Sequence, residues 1–341
     1  MTQMSRSDIY QMVRDIPTRS RNCHADPMTV ISDRPTRATD PHSFDLRFFD
    51  QAGSELAAHF AEHGYALLRH ALSPTEVAEI NSDALGICRG DYGEITYGYK
   101  EGPDSVPLLD PEATDEDVLR QFLCIHYPHK LSPAAERALH APKIVDALVS
   151  VIGPNVKAMQ SMLFIKSEGK PGQAWHQDEF FIPTRDRSLT AVWIALDDAT
   201  IENGCLWVLP GSHRRGVLYP AREQDDPRFD CTTEAFDFPY RDEDAVPVEI
   251  PAGTALIFNG YLLHRSLENS GKHGYRRALA NHYMSAESLL PWEPPKNGEH
   301  MAITDFRDIV LVAGEDPYAY KGTTDLRKPY SRPDKDGGCD R

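Results

Sequence analysis

His176-Gln-Asp178 combines two residue types that bind metals, at a spacing that would let them share one ion. In an extended backbone, residues i and i+2 point to the same side, so one imidazole and one carboxylate could meet there. The pattern is weak on its own, because about one His-x-Asp match is expected by chance in a chain with 14 histidines. His24-Ala-Asp26 is such a match, in a polar stretch without apolar neighbours, and we interpret it as solvated loop.

His264 is the best candidate for a third ligand, because it ends the apolar run TALIFNGYLLH downstream of the motif. Two histidines and one carboxylate on one face of an octahedron form the triad typical of non-haem iron(II) oxygenases. This arrangement leaves the opposite face open for a cosubstrate and O2. The sequence therefore predicts an iron site made of His176, Asp178 and His264.

A possible carboxylate-binding group follows the third ligand. Arg276 precedes the strand-like run RALANHYMS, and its guanidinium would enter the same cavity if that strand lay beside the one ending at His264. A planar guanidinium pairs bidentately with a carboxylate, and Ser266 could add a hydroxyl donor. These groups suit 2-oxoglutarate, whose keto-acid end would chelate the iron while Arg276 binds its distal carboxylate. Arg277 faces the other way and is expected at the surface.

The elements that must position these residues change in character near Val156. From there the apolar runs are short, are separated by turn residues, and have no helical pattern between them. Such a series predicts a β sandwich or barrel of jelly-roll type. Glu202-Asn-Gly204 lies between two runs and predicts a hairpin. The acidic excursion over residues 212–247 is interpreted as a lid or flap.

Helical signals dominate upstream of this β region. Ser73-Pro74 begins one predicted helix, and a second begins near Pro142 and stops at Gly153, with a long loop over 89–120 between them. We therefore predict a mainly β fold with flanking helices. The predicted divisions are a polar extension over 1–45, an oxygenase domain over 46–290 with its β core from about 156, and a C-terminal extension over 291–341 that packs on the core or trails from it.

The composition weighs against several classes of partner. A formal charge of −16 disfavours nucleic acid and anionic membrane surfaces, because phosphate contacts need basic patches. No apolar run is long enough for a membrane span or a signal peptide, and the six cysteines contain no C-x-x-C pair. We expect a cytoplasmic protein with a small-molecule substrate.

A set of ordered motifs resembles a known family. The motifs are Phe60-Ala-Glu-His-Gly64-Tyr65, the Ser73-Pro74 helix start, Gln160-Ser-Met162, His176-Gln-Asp178, Trp193-Ile-Ala, Glu202-Asn-Gly-Cys-Leu-Trp207, Leu209-Pro-Gly-Ser-His213, His264-Arg-Ser266 and Arg276-Arg-Ala. Residues from about 56 to 286 thereby resemble the phytanoyl-CoA dioxygenase family of Fe(II)/2-oxoglutarate oxygenases. Residues 176–213 most resemble its subgroup of phytanoyl-CoA dioxygenase domain-containing proteins.

The resemblance implies a double-stranded β-helix, a cupin-like jelly-roll barrel, and a set of site residues. It implies Fe(II) on His176, Asp178 and His264, the distal carboxylate of 2-oxoglutarate on Arg276 and Ser266, and a cosubstrate pocket lined by Met162 and Trp193, although each of these last two could equally be a core residue. The implied reaction uses O2 and converts 2-oxoglutarate to succinate and CO2. Related halogenases have a small residue in place of Asp178, so a carboxylate there favours hydroxylation or another oxidation.

Two other functions stay open at this point. One is a cupin-like metal-binding barrel without oxygenase activity, such as a sensor or an isomerase, which would not need a carboxylate clamp. The other is an oxygenase that acts on a protein. The expected specificity elements are residues 89–120, 179–181 and 212–247, whose acidity could suit a cationic substrate.

Four further histidines and one cysteine complete the candidates. His213, in the turn Pro-Gly-Ser-His, is expected to form a turn-stabilising hydrogen bond. His126, His129 and His282 are candidates for the pocket wall or the core, and Cys205 is expected to be a buried strand residue.

Overall fold

The computed structural model describes residues 46–93, 95–97, 110–230, 233–289 and 307–333. His24, Asp26 and the rest of the predicted N-terminal extension lie outside these residues, as do parts of the 89–120 loop and of the C-terminal extension. The α-helices are α1 (Ser54–His63), α2 (Pro74–Arg89), α3 (Asp115–Arg120), α4 (Pro133–Leu139), α5 (Pro142–Ile152) and α6 (Asp178–Phe181). None of the helices in this part of the chain has the length and apolar character needed to cross a membrane.

Most of the strands are short, as predicted, although two of them have 10 residues or more. They are β1 (Phe48–Phe49), β2 (Tyr65–Leu68), β3 (Thr96–Tyr97), β4 (Phe122–His126), β5 (Val156–Lys166), β6 (Gln173–His176), β7 (Thr190–Ala195), β8 (Leu206–Val208), β9 (Ala221–Glu223), β10 (Thr233–Ala235), β11 (Val246–Val248), β12 (Ala255–Asn259), β13 (His264–Ser266), β14 (Arg276–Ser285), β15 (Val310–Ala313) and β16 (Tyr330–Pro333). Every apolar run that we interpreted as a strand contains one.

Two of the sheets formed by the described residues face each other. The larger, the major sheet, has the order β1-β2-β12-β7-β14-β5-β4-β16-β3, with β15 also paired to β5. The smaller, the minor sheet, has the order β11-β8-β13-β6. Side chains from both, including Trp193 and Leu256 of the major sheet and Leu206 and Val208 of the minor sheet, form one buried cluster. This arrangement is the predicted jelly roll.

The helices cover the outer face of the major sheet. Ile80 of α2 and Ile144 of α5 are buried in a cluster with Val192 and Ile194, which alternate along β7 with residues that face the minor sheet. Ser73 caps α2 in a capping box with Glu76, as the sequence predicts. The flanking helices therefore bury one face of the sheet and leave the other for the site.

Four details of the sequence-based description are wrong. Glu202–Gly204 is not a hairpin turn, because β7 belongs to the major sheet and β8 to the minor sheet, so the chain crosses between sheets there. His264 does not end the strand TALIFNG but begins β13, after the chain has crossed to the minor sheet. The strand β14 therefore lies opposite β13, not beside it. A short helix, α6, also follows β6 directly.

The C-terminal part of the chain adds strands to the major sheet. β15 pairs with β5, and β16 lies antiparallel to β4 with Arg332 opposite Cys124. Cys124 in turn lies opposite Phe164 of β5, so these three residues share one row across the sheet. Side chains of β16 therefore reach the same face of the sheet as those of β5.

Candidate metal and cosubstrate site

The structure brings His176, Asp178 and His264 together. β13 pairs with β6 so that His264 lies directly opposite His176, at the end of the minor sheet. The carboxylate atom Oδ1 of Asp178 lies 3.7 Å from Nε2 of His176 and 3.6 Å from Nε2 of His264. One ligand atom from each residue lies within 4.8 Å of the other two, which suits a single bound ion.

Asp178 is the first residue of α6, not a strand residue as the sequence interpretation assumed. Gln177 is extended, with φ −126° and ψ 127°, so the i and i+2 side chains still point to one side. The side chain of Gln177 points away from the ligands. It donates to the carbonyl of Tyr261 at 2.8 Å and accepts from the backbone N–H of Tyr219 at 2.8 Å. The first bond ties the ligand segment to the β12–β13 connection, and the second ties it to the loop before β9.

Each histidine ligand is oriented by a backbone carbonyl. Nδ1 of His176 lies 2.8 Å from the carbonyl of Ala174, and Nδ1 of His264 lies 3.0 Å from the carbonyl of Leu262. Because a carbonyl can only accept, Nδ1 carries the proton and Nε2 presents its lone pair. Both Nε2 atoms then face the shared point beside Asp178, which is how metal-binding histidines are commonly held.

The second carboxylate oxygen of Asp178 is engaged by a third histidine. Nε2 of His282 lies 3.2 Å from Oδ2, while Oδ1 faces the other two imidazoles. Burial alone would raise the pKa of Asp178, but the nearby histidines His264, His282 and His176 outweigh it and hold that pKa below its usual value. Burial lowers the pKa of His264 to about 4, so its imidazole is neutral at pH 7, as metal binding requires.

Arg276 enters the same cavity from the opposite sheet. It begins β14, is 3% exposed, and its Nε donates to the carbonyl of Gly204 at 3.1 Å. Its guanidinium carbon lies 5.5 Å from the ring centroid of Trp193. Burial lowers its pKa to about 10, so it stays charged at neutral pH. Within the described residues no carboxylate pairs with this cation, which an anionic ligand would therefore stabilise.

Ser266 and Lys166 lie next to this arginine. Lys166 of β5 is opposite Arg276 in the sheet, and its Nζ donates to Oγ of Ser266 at 3.2 Å. Ser266 also accepts from the backbone N–H of Gln173 at 3.1 Å, so its own proton remains for a ligand. Burial and the charge of Arg276 hold the pKa of Lys166 well below its usual value. Lys166 was not a sequence candidate, because its position opposite Arg276 depends on the register of the sheet.

The three candidate ligands, Arg276 and Ser266 line one cavity of about 630 Å³ between the two sheets. Met162 and Trp193 line it from the major sheet, together with His126 and His282. Phe180 and Phe181, which follow Asp178, line it as well. A volume of this order accommodates a cosubstrate and a small substrate together.

Several other candidates lie elsewhere. His129 does not line the cavity, and its Nδ1 lies 2.5 Å from Oγ of Ser161. His213 bonds the carbonyl of Ala61 in α1 at 3.1 Å, so it joins two elements and does not stabilise its own turn. Cys205 is buried directly before β8. Arg277 faces away from the cavity, as predicted, but is paired with Asp197 at 2.7 Å and is not simply solvated.

The fold and the His-Asp-His cluster together define a jelly-roll protein with two histidines and one carboxylate placed so that they could hold a metal ion. The family model described as phytanoyl-CoA dioxygenase (PhyH) matches residues 60–278. This chain belongs to the phytanoyl-CoA dioxygenase family.

Relatives by sequence carry the same family name. Phytanoyl-CoA dioxygenase 1 from Oryza sativa subsp. japonica is 33% identical over 164 residues, which cover 48% of this chain and 57% of the rice protein. Phytanoyl-CoA dioxygenase domain-containing protein 1 from Danio rerio is 32% identical over 176 residues, covering 50% and 58% of the two chains. The match thus spans little more than half the length of these relatives. The peroxisomal phytanoyl-CoA dioxygenase of Rattus norvegicus is 26% identical over 276 residues, covering 78% and 77%.

Solved structures share the fold at lower identity. The non-heme monooxygenase ThoJ superposes with a TM-score of 0.56 at 23% identity, covering 80% of this chain and 88% of that one. The non-heme alpha ketoglutarate dependent carbocyclase SnoK superposes with a TM-score of 0.53 at 20% identity, covering 76% and 96%.

Proposed function

We propose that this protein is an Fe(II)- and 2-oxoglutarate-dependent dioxygenase that hydroxylates a small molecule and releases succinate and CO2. The observation that carries the proposal is Arg276, a buried cation without a carboxylate partner among the described residues, in the cavity that also holds His176, Asp178 and His264. The names of the relatives and structural neighbours support the same class.

The residues present fit both iron and 2-oxoglutarate. His176, His264 and one oxygen of Asp178 would hold the iron, and this donor set is the one that ferrous oxygenases use. Arg276 and Ser266 would bind the distal carboxylate of 2-oxoglutarate, with Trp193 beneath the guanidinium. When bound, iron and 2-oxoglutarate supply the oxidising chemistry, while the protein fixes orientation and excludes water.

A metal-binding barrel without oxygenase activity is the rival function, and the buried arginine weighs against it. A site that needed only a metal would gain nothing from a charged guanidinium that lies buried without a partner acid in the part of the chain that the structure describes. The presence of Asp178 also favours oxygen transfer over halogenation, because a carboxylate occupies the position where a halide would bind.

The proposal is tested by measuring first how 2-oxoglutarate changes the stability of the fold and then whether the protein turns it over. With Mn(II) present and O2 excluded, saturating 2-oxoglutarate at 100 times its Kd should stabilise the fold by about 2.7 kcal/mol, a rise in Tm of roughly 5 °C. In air with Fe(II), the protein should release succinate. No Tm shift at millimolar 2-oxoglutarate would favour the rival function.

Asp178→Ala tests the metal ligand itself. We expect it to abolish substrate-coupled succinate release, because the iron would lose its only anionic protein ligand. The control is Asp146→Ala, which removes an exposed carboxylate on α5 and should leave turnover unchanged. Unchanged turnover in Asp178→Ala would remove this residue from the site.

A further inference from the structure

Lys166 is a buried basic residue to which the proposed function gives no role. It ends β5 directly opposite Arg276, the first residue of β14, and is only 6% exposed. Its Nζ donates to Oγ of Ser266 at 3.2 Å and to the carbonyl of Leu267 at 2.6 Å, two uncharged partners. Burying an ammonium group costs free energy that neutral partners offset only in part, and such groups are frequent at functional sites.

Lys166 lies behind the wall of the cavity. Met162 and Phe164, which precede it at two-residue intervals on β5, line the cavity, as do Ser266 and Arg276. Lys166 is not among the described residues that line it. A ligand in the cavity would therefore contact Ser266 and Arg276 directly, whereas Lys166 would act on the ligand through Ser266.

The side chain of Lys166 is fitted against Gly204. A Cβ atom at Gly204 would lie 3.1 Å from Cδ of Lys166 and 2.5 Å from the carbonyl oxygen of Leu267, which accepts from Nζ of Lys166. The carbonyl of Gly204 in turn accepts from Nε of Arg276 at 3.1 Å. Lys166 and Arg276 thus contact the same glycine, and this close packing fixes Nζ of Lys166 relative to Ser266.

The hydroxyl of Ser266 is held in one orientation by two donors. Its oxygen accepts from Nζ of Lys166 at 3.2 Å and from the backbone N–H of Gln173 at 3.1 Å. A hydroxyl oxygen has two lone pairs, so both are used by these bonds. The hydrogen of the hydroxyl then points away from both donors, and because Ser266 lines the cavity it can be donated to an acceptor there.

An anionic ligand would reinforce this orientation. A charged ammonium group can only donate hydrogen bonds, whereas a neutral amine could accept the hydrogen of Ser266 instead. Burial, followed by the charge of Arg276, holds the pKa of Lys166 well below its usual value and so favours the neutral amine. A carboxylate bound to Arg276 and Ser266 would bring a negative charge close to Lys166 and favour its charged form.

We propose that Lys166 is a positioning residue of the cosubstrate site, which turns the hydroxyl of Ser266 toward the distal carboxylate of 2-oxoglutarate. The site thereby prefers a carboxylate to an uncharged end group. This inference rests on the proposed function, because it requires that Arg276 and Ser266 bind that carboxylate. The alternative is a lysine that only supports the backbone through the carbonyl of Leu267, and the following measurements separate the two roles.

The experiment measures ligand Kd values by isothermal titration calorimetry, with the full chain loaded with Mn(II) under nitrogen. The ligands are 2-oxoglutarate and 2-oxopentanoate, which has the same keto-acid end but a methyl group in place of the distal carboxylate. Lys166→Met keeps a long unbranched side chain without the ammonium group. It should raise the Kd of 2-oxoglutarate roughly tenfold and change that of 2-oxopentanoate by no more than about twofold. Lys166→Gln, which keeps an N–H donor, should show a smaller loss of the same kind, and Lys272→Met, at an exposed position, should change neither Kd.

A double-mutant cycle with Ser266→Ala tests whether Lys166 acts through Ser266. Two residues that act through one hydroxyl have non-additive effects, so the double variant should bind 2-oxoglutarate about as weakly as Ser266→Ala alone. Urea unfolding of each variant checks that the fold persists. The inference is overturned if Lys166→Met leaves the Kd of 2-oxoglutarate unchanged, if it weakens both ligands equally, or if the two substitutions multiply their effects on Kd. Failure of the wild type to bind 2-oxoglutarate would instead contradict the proposed function, so the two failures are distinguishable.

Discussion

His282 determines how Asp178 can bind a metal. Its Nε2 lies 3.2 Å from Oδ2 of Asp178, and with Nε2 protonated its Nδ1 has no hydrogen-bond partner among the described residues. One carboxylate oxygen is thereby engaged by the imidazole of His282, so Asp178 would hold a metal through Oδ1. Monodentate binding leaves more of the coordination sphere open to 2-oxoglutarate and O2.

Replacing His282 should therefore weaken metal binding without removing a ligand. We expect His282→Phe to reduce Mn(II) affinity by roughly 10–100-fold, the usual effect of losing a group that orients a ligand. His282→Gln keeps an N–H donor and should recover part of that loss. Titration with Mn(II) followed by electron paramagnetic resonance measures both, and equal affinities of wild type and His282→Phe would contradict the positioning role.

Arg276 and Arg277 form a matched pair for testing the carboxylate clamp. Arg276→Gln should raise the Kd for 2-oxoglutarate by roughly 10–100-fold, because charge-assisted bonds to the ligand are lost. Mn(II) binding should stay the same. Arg277→Gln removes the ion pair with Asp197 and the contact with the ring of Tyr275, both away from the cavity, and should change neither constant. Isothermal titration calorimetry with 2-oxoglutarate measures the Kd of each variant. Similar Kd values for the two variants would exclude Arg276 as the clamp.

The site residues differ in how far the sequence could predict them. His176, Asp178, His264 and Arg276 belong to ordered motifs, so their type and spacing already indicated their chemistry. Lys166 and His282 depend instead on the register of β14 against its neighbours, since Arg276 lies opposite Lys166. Register follows from packing of the whole sheet, and no local pattern in the sequence reports it.

At the scale of elements, the junction between β6 and β13 sets the distance between the two histidines proposed as ligands. Gly172 precedes β6, and a Cβ atom there would lie 1.9 Å from the carbonyl oxygen of Ser266 in β13. A contact this short cannot exist, so any side chain would push the two strands apart. The glycine therefore permits the close approach that brings His176 opposite His264.

Gly172→Ala should lower the free energy of unfolding by about 1–3 kcal/mol and weaken Mn(II) binding as the ligands separate. Gly169→Ala is the control. A Cβ at Gly169 meets nothing within 4 Å, so only its positive φ of 76° adds strain, about 1–2 kcal/mol. The free energy of unfolding should fall in both variants, but Mn(II) affinity should fall only in Gly172→Ala. Weakened metal binding in Gly169→Ala, or normal binding in Gly172→Ala, would contradict the argument.

The sequence predicted the strands better than their partners. Each apolar run from Val156 onward contains a strand, because alternation and turn residues are local signals. The sheet that a strand joins is not a local property of the sequence, because the same alternation of apolar and polar residues fits either sheet. The predicted hairpin at Glu202–Gly204 fails for this reason: Asn203 bonds Asp198 and Thr200 of its own loop while the chain changes sheet. The apolar run TALIFNGYLLH is likewise divided between two strands, because the chain crosses to the minor sheet before His264.

At the scale of the whole molecule, the C-terminal part of the chain completes the major sheet and the cavity. The family match ends at residue 278, but β15 and β16 lie beyond it and pair with β5 and β4. We interpreted this part of the sequence as an extension, and its pattern does not strongly predict a strand. Its contribution depends on contacts with β4 and Lys130, which are distant in sequence, so composition alone could not reveal it.

Buried neutral histidines make the whole fold sensitive to acid. His126 is 4% exposed, lies against the ring of Tyr330 with a centroid distance of 4.2 Å, and has its pKa lowered from 6.5 to about 3 by burial and by Arg332. Burial, followed by the charge of Lys130, lowers the pKa of His129 to about 4. Below pH 6.5 the unfolded chain takes up protons that these folded side chains exclude. Stability is therefore complete above pH 6.5 and declines as the pH falls toward 3–4.

For His126, the expected loss of unfolding free energy at pH 5.0 relative to neutral pH is about 2 kcal/mol, because pH 5.0 lies about 1.5 units below the pKa of this side chain in the unfolded chain. His126→Phe keeps a flat ring against Tyr330 but cannot take up a proton. The difference in unfolding free energy between pH 7.5 and pH 5.0, measured by urea denaturation of the metal-free protein, should therefore shrink by about 2 kcal/mol in this variant. His140→Gln, at an exposed position after α4, should leave that difference as in the wild type. An undiminished difference in His126→Phe would mean that other groups cause the acid sensitivity, because the variant removes only the proton uptake of this one buried imidazole.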